Sequence, residues 1–201
     1  MNQEKAWNKI APMWNNYRKK PMDGVKDFLK NKKGNILDLG CGSGRNFIKT
    51  KGTIYGIDFS EQMLKFAKQN AKAKSIKTKL IHSKVSNIPI ESNFFDSAIF
   101  MATLHCIKWK RDRKKALKEL FRTLKPGADA MISIWSRNSK RVKNKPKKTY
   151  IPWTKDGEKI IRYYYLYEKP EIEQLIKKVG FKILNSMEKK DMVFHIQKPI
   201  S

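Results

Sequence analysis

Residues 35–44, Asn-Ile-Leu-Asp-Leu-Gly-Cys-Gly-Ser-Gly, restrict the fold more than any other stretch of the chain. Ile36, Leu37 and Leu39 read as a short apolar strand that runs straight into Gly40, Gly42 and Gly44. Glycines at that spacing let the backbone approach a ligand closely and turn tightly into a following helix. The rest of the chain supplies the alternation such a unit needs. Strands are expected at 53–58, 78–83, 96–102 and 128–135. Between them lie a helix over SEQMLKFAKQNAK, opened by Ser60 as N-cap, and a helix over 113–125 that stops at Pro126-Gly127. A helix over 169–180 and a β-hairpin over 181–197 close the chain. At its start, residues 5–31 read as two helical segments, with Trp7, Ile10, Ala11 and Trp14 at helical spacing and a break at Pro21. Residues 136–160 show no periodicity and many turn formers. They read as a long loop, which inside a compact domain is usually functional. The expected fold is α/β: a mostly parallel sheet with helices on both faces and an antiparallel hairpin at its end.

The length, 201 residues, suits one domain with a real core. Its expected parts are N-terminal helices over 1–31, a ligand-binding core over 35–135, a basic loop over 136–168, and a helix and hairpin over 169–201. No run approaches the roughly 18 to 20 apolar residues of a membrane span, and the first residues do not read as a secretory signal. Cys41 and Cys106 form no CxxC pair, so neither a disulfide framework nor a metal site is expected. The cytoplasm is the default address. The 45 Lys+Arg against 18 Asp+Glu leave a net charge of +27, a field that draws polyanions, nucleic acid foremost. Frequent Lys, Asn and Ile also fit an AT-rich genome, so part of the excess reads as codon bias.

Two carboxylates narrow the ligand. Asp38 precedes the glycines, where it would repel a pyrophosphate but suits a cationic amino group. Asp58 ends the second strand, where an acid accepts hydrogen bonds from ribose hydroxyls. S-adenosylmethionine offers both targets, whereas a dehydrogenase-type nucleotide site needs amides with no acid beside them.

ILDLGCGSGRN, YGIDFSEQML, FFDSAIFMATLH and LFRTLKPGADAMISIW resemble, in order, the motifs of class I S-adenosylmethionine-dependent methyltransferases. The resemblance implies a Rossmann-like fold with a seven-stranded sheet and S-adenosylmethionine as cofactor. By that likeness Asp38, Gly40, Gly42 and Gly44 line the methionine portion, Asp58 holds the ribose, Met63 packs near the adenine, and Val85 presents its amide to the adenine edge. Cys41, Phe59 and Met101 complete the set. Lys84 stands where the family often has an acid, which leaves adenine recognition to main chain and Ser83.

Four further segments resemble the tRNA wobble-uridine carboxymethyl methyltransferases, which esterify 5-carboxymethyluridine in the anticodon. They are AWNKIAPMWNNYRKKP, LHCIKWKRDRKKALKEL, IPWTKDGEKIIRYYYLY and SMEKKDMVFHIQ. Arg18, His105, Arg113, Pro152, Trp153, Arg162 and Tyr163 match that family's pattern. Cys106 replaces the second histidine of a pair, Tyr165 replaces the histidine of the R-Y-Y-H motif, and the tryptophans of that family's closing hairpin are replaced near Met192-Val193. The likeness implies that Arg18, His105 and Arg113 gather around the modified uracil or its phosphates, and that Trp153 and Tyr163 stack on a flipped base. Arg162 is the paired donor that suits a carboxylate. A carboxylate is already nucleophilic at neutral pH, so in-line positioning matters more than a base, and His105 reads as a donor. The likeness also implies tRNA, at its anticodon region, and a small zinc-binding activator protein as partners. RNSKRVKNKPKK, residues 137–148, carries many basic residues and no acid beside this motif, which favours phosphate contacts. Two other readings share the core motifs: a methyltransferase for a small metabolite such as a quinone precursor, and a catalytically silent RNA-binding module.

Overall fold

Alternating apolar side chains sort the strands' two faces into two cores. On β1 (Lys33–Leu39), Leu37 and Leu39 join one cluster and Ile36 the other. On β4 (Phe95–Met101), Ala98 and Phe100 face the first and Ile99 and Met101 the second. The first core is closed by Ala116, Leu117 and Leu120 of α4 (Lys110–Thr123) and by Ile172 and Ile176 of α5 (Lys169–Val179). The second is closed by α2 (Val25–Leu29) and α3 (Glu61–Ala73) through Val25, Leu29, Ala67 and Ala71. Helices therefore cover both faces. The computed structural model describes residues 2–155 and 157–200; Asp156, inside the IPWTKDGEKIIRYYYLY motif, lies outside them.

The sheet also contains β2 (Lys51–Asp58), β3 (Thr78–His82), β5 (Leu124–Trp135), β8 (Lys182–Glu188) and β9 (Asp191–Gln197). Its seven strands run in the order β3-β2-β1-β4-β5-β9-β8, with only β9 antiparallel to its neighbours. The order grows outward from β1 in both directions, so the crevice beyond the carboxyl ends of β1 and β4 is the switch point where such sheets bind ligands. This is the Rossmann-like fold expected from the sequence.

Three local expectations are corrected. No helix follows the glycine turn: the β1–β2 connection, residues 40–50, is too short for a regular crossover helix and folds as tight turns, with Gly44 N donating to Cys41 O and Phe47 N to Gly44 O. Pro126-Gly127 does not stop α4 but lies inside β5, where pairing with β4 is irregular. The loop expected over 136–160 is largely a second sheet, the antiparallel hairpin of β6 (Lys148–Lys155) and β7 (Glu158–Tyr165). Pro152 is tolerated because β6 has only one partner strand, and Tyr150 pairs with Tyr163 ring to ring at 5.5 Å. Helix α1 (Gln3–Tyr17), capped by Asn2, packs between this hairpin and α3. Ala6 and Ile10 of α1 meet Ile160, and Asn8 Oδ1 accepts from Ser60 Oγ at 2.6 Å.

Candidate active site

The turn after β1 is built around backbone conformations that favour glycine. Gly40, Gly42 and Gly44 have φ of 71°, 53° and 73°. A Cβ on Gly40 would collide with Thr103, and one on Gly44 with Phe47, so both positions are closed by packing. A Cβ on Gly42 would instead stand 3.9 Å from Met63 Sδ and from Trp14 Nε1, in the cavity those side chains line. Asp58 ties the turn to β2: its Oδ2 accepts from Gly42 N and its Oδ1 from Ser60 N, each at 2.9 Å.

The cavity brings together Gly40, Cys41, Gly42, Asp58 and, from the sides, Phe59, Met63 and Met101. All seven were expected from the sequence. Val85 lines an adjoining cavity of about 460 Å³, which shares Gly40, Asp58, Phe59, Thr103 and Cys106 with the first. Asp38, Ser83 and Gly44 line neither, and the Ser83 hydroxyl is spent on Asn87 O at 2.7 Å. Sequence reasoning missed Trp7 and Trp14, which α1 lays over the first cavity, and Thr103, Lys108 and Trp109 beyond β4. The helical spacing of Trp7 and Trp14 was visible, but not what their face covers.

Asp38, one residue before the end of β1, is buried, and neither carboxylate oxygen has a hydrogen-bond partner among the described residues. Burial, reinforced by Asp58, pushes it up to about 8 against the pull of Arg45. Arg45 does not quench it, because its Nε and Nη2 both donate to Lys20 O. Burial likewise lifts Asp58 to about 6 despite the backbone N–H groups on it. An unsatisfied buried carboxylate two residues before Gly40, which walls the cavity, fits a cationic amino group, and Asp58 keeps lone pairs for a diol. Those are the polar ends of the methionine and ribose parts of S-adenosylmethionine.

A family model described as a methyltransferase domain matches residues 37–132. The chain is 28% identical over 208 residues to a tRNA (carboxymethyluridine(34)-5-O)-methyltransferase of Schizosaccharomyces pombe, covering 89% of this chain and 88% of that one. It is 28% identical over 189 residues to a 2-phytyl-1,4-naphtoquinone methyltransferase of Trichormus variabilis, covering 87% and 74%. A solved S-adenosylmethionine-dependent methyltransferase of Methanosarcina mazei superposes with a TM-score of 0.72 at 19% identity, over 90% of this chain and all of that one. The chain spans about a third of the length of three mammalian relatives it also matches. It is an S-adenosylmethionine-dependent methyltransferase.

In this methyltransferase, four of the six residues expected on the substrate side join one stack of planar groups. Arg18, exposed at the end of α1, lies over Trp14 at 5.3 Å; Trp14 meets Trp153 at 5.8 Å; Arg162 lies over Trp153 at 5.1 Å, Trp7 at 5.7 Å and Tyr164 at 5.3 Å. Tyr164 stacks on Trp135 at 4.5 Å, and His105 stacks against both. Because Trp7 and Trp14 also line the cavity, the stack forms its flank. Trp153 is half-buried here and packs on Trp14 and Tyr17. Burial first, and Arg141 second, lower His105 to about 3, so the ring is neutral. Its Nδ1 accepts from Trp135 N, which puts the proton on Nε2 and makes the free edge a donor. Burial pushes the thiol of Cys106 up to about 12, which keeps it protonated.

Arg113 and Tyr163 lie outside that stack. Arg113 is 4% exposed, donates Nη1 to the carbonyls of Ile107 and Lys108, and lies over Tyr165 at 4.0 Å. Its guanidinium is occupied by the protein, and it holds the 107–108 segment that walls the larger cavity. Tyr163 is 3% exposed, with its N–H on Gln3 Oε1 at 2.8 Å, which anchors the hairpin to α1.

Proposed function

We propose that this methyltransferase modifies tRNA and esterifies the carboxylate of 5-carboxymethyluridine at the wobble position, giving 5-methoxycarbonylmethyluridine. The observation that carries the reading is Arg162. Its side chain is 5% exposed and walled by Trp7, Trp153 and Tyr164. Nη1 donates to Tyr164 Oη, Nε is buried without a partner, and among the described residues no carboxylate pairs with it. A buried cation without a counter-charge is costly, and an anionic substrate group next to the cavity would offset that cost. Arginine's paired donors suit a carboxylate. The identity to the fission yeast enzyme across most of both chains supports the same substrate.

S-adenosylmethionine supplies an electrophilic methyl group when bound. Asp38 would hold its amino group, Asp58 its ribose hydroxyls, Met63 and Phe59 would flank the adenine, and Gly40 and Gly42 would let it approach the backbone. On the substrate side, Arg162 would fix the carboxylate, His105 would offer a hydrogen bond from Nε2, and Trp7 and Trp14 would exclude water. Neutral His105 and the protonated Cys106 thiol take no proton, and a carboxylate nucleophile requires none to be taken. Arg113 and Tyr163 act as positioning residues through the 107–108 segment and the hairpin. Arg18, exposed at the rim, would meet phosphate. A zinc-binding activator protein is the partner proposed for the enzyme.

The naphthoquinone methyltransferase relative favours a second reading, a small apolar substrate. One assay separates them: transfer of a labelled methyl group to tRNA carrying 5-carboxymethyluridine, with an activator protein supplied. Wild type should label the nucleoside as a base-labile ester. Arg162→Lys keeps the charge but loses the planar fork, so kcat should fall at least tenfold with tRNA affinity nearly kept. If Arg162→Lys turns over like wild type, the carboxylate reading is wrong.

A further inference from the structure

The exposed face of α4 is a row of cations that the cofactor site does not use. Lys110, Arg111, Lys114, Lys115 and Lys118 are all exposed and follow i, i+1, i+4, i+5, i+8, which places them on one face. The row spans about 12 Å along the helix axis. Among the described residues, Lys110, Lys114, Lys115 and Lys118 have no ion pair, and Arg111 has only Asp112 at 3.7 Å on the surface. The helix's other acid, Glu119, is committed to Arg122.

This placement opposes the helix's own preferences. Lys110 and Arg111 occupy the first turn, at the positive end of the helix dipole, and the i, i+4 neighbours carry like charges. The N-cap is Trp109, which makes no side-chain capping bond. Trp109 is 64% exposed, lines the larger cavity, and carries the Lys108 ammonium 5.1 Å from its ring. Local rules broken together at the rim of a binding cavity mark a surface kept for a ligand.

We propose that this face, headed by Trp109, docks the phosphate backbone of the RNA substrate outside the target nucleotide, with Trp109 stacking on a base at the cavity rim. The proposal rests on the RNA reading above. The cations run from the site outward, matching a polyanion that enters the crevice at one nucleotide and continues along the helix.

The test is tRNA binding by fluorescence anisotropy across a salt series, with S-adenosylmethionine affinity measured in parallel by calorimetry. Lys114→Gln/Lys115→Gln/Lys118→Gln should weaken tRNA binding and reduce the log–log salt slope by roughly 2 to 3, cofactor affinity unchanged. The control removes the same charge from another exposed helix face, Lys65→Gln/Lys68→Gln/Lys72→Gln on α3, and should leave the slope near wild type. Trp109→Ala should cost roughly tenfold in tRNA affinity with no change of slope, since no charge is lost. If the two triple variants lose slope equally, only the overall charge matters and the α4 surface is not a docking site. If the α4 variant matches wild type, the docking surface is overturned while the RNA reading stands. If wild type binds no tRNA, both fall, and unchanged cofactor binding shows that folding is not the cause.

Discussion

In the proposed site, Asp38 sets cofactor binding against stability. Buried with no donor on either oxygen and lifted to about 8, it is mostly protonated at neutral pH before the cofactor binds. An ammonium group selects the ionised form, so binding releases a proton and affinity should rise with pH until about 8, then level off. Calorimetry in buffers of different ionisation heat checks this directly: a heat independent of the buffer would contradict it. The stability sign runs the other way. A carboxyl whose folded pKa exceeds its unfolded 3.8 binds a proton more tightly when folded, so its contribution favours the fold at low pH and is lost as pH rises from about 4 to about 8. Asp38→Asn removes that dependence. It should raise the melting temperature of the cofactor-free protein at pH 8 while weakening S-adenosylmethionine binding by at least tenfold. A variant that loses both stability and affinity would mean that Asp38 serves the fold.

Elements show where the sequence was legible and where it was not. The lining of the smaller cavity was readable because Gly40, Cys41, Gly42, Asp58, Phe59 and Met63 lie within one contiguous stretch, and the chemistry of each is local. The substrate flank was not, because Arg162 rests on Trp7 and Trp153 on Trp14, contacts between distant parts of the chain that no spacing rule reports. The β6–β7 hairpin escaped because Pro152 and surrounding lysines mask its alternation, and the helix expected after Gly44 had too few residues to form. The basic segment shows the same division. Lys147, expected on phosphate, pairs with Glu171 at 2.8 Å beside Tyr165, and this contact raises its pKa. Lys140, Lys143 and Lys145 are exposed. Replacing these three by Gln should therefore reduce the salt slope of tRNA binding by roughly 2 to 3 with the melting temperature kept. Lys147→Ala should leave the slope near wild type and slightly lower the melting temperature. The reverse pattern would return Lys147 to the RNA surface.

For the whole molecule, the excess of 45 Lys+Arg over 18 Asp+Glu acts on encounter rather than on methyl transfer. Charges spread over the surface steer a polyanion toward the crevice and are screened beyond about 10 Å at 0.1 M salt. The buried groups proposed to meet cofactor and substrate, Asp38, Arg162 and His105, are shielded from that screening. Salt should thus separate the two steps. Raising it from about 50 to about 200 mM should increase KM for tRNA steeply; some six phosphate contacts would set a log–log slope of about −4 to −5 for affinity, with kcat at saturating tRNA nearly constant. An isolated anticodon stem-loop should show a shallower slope than full-length tRNA, because it reaches fewer of the cations on the 137–148 segment and α4. A methyltransferase for an apolar quinone predicts neither result, since an uncharged substrate releases no counterions. Steady-state kinetics with both RNAs at four salt concentrations decide the point: KM values that ignore salt would reduce the charge to a surface property and leave the small-molecule reading in possession of the site.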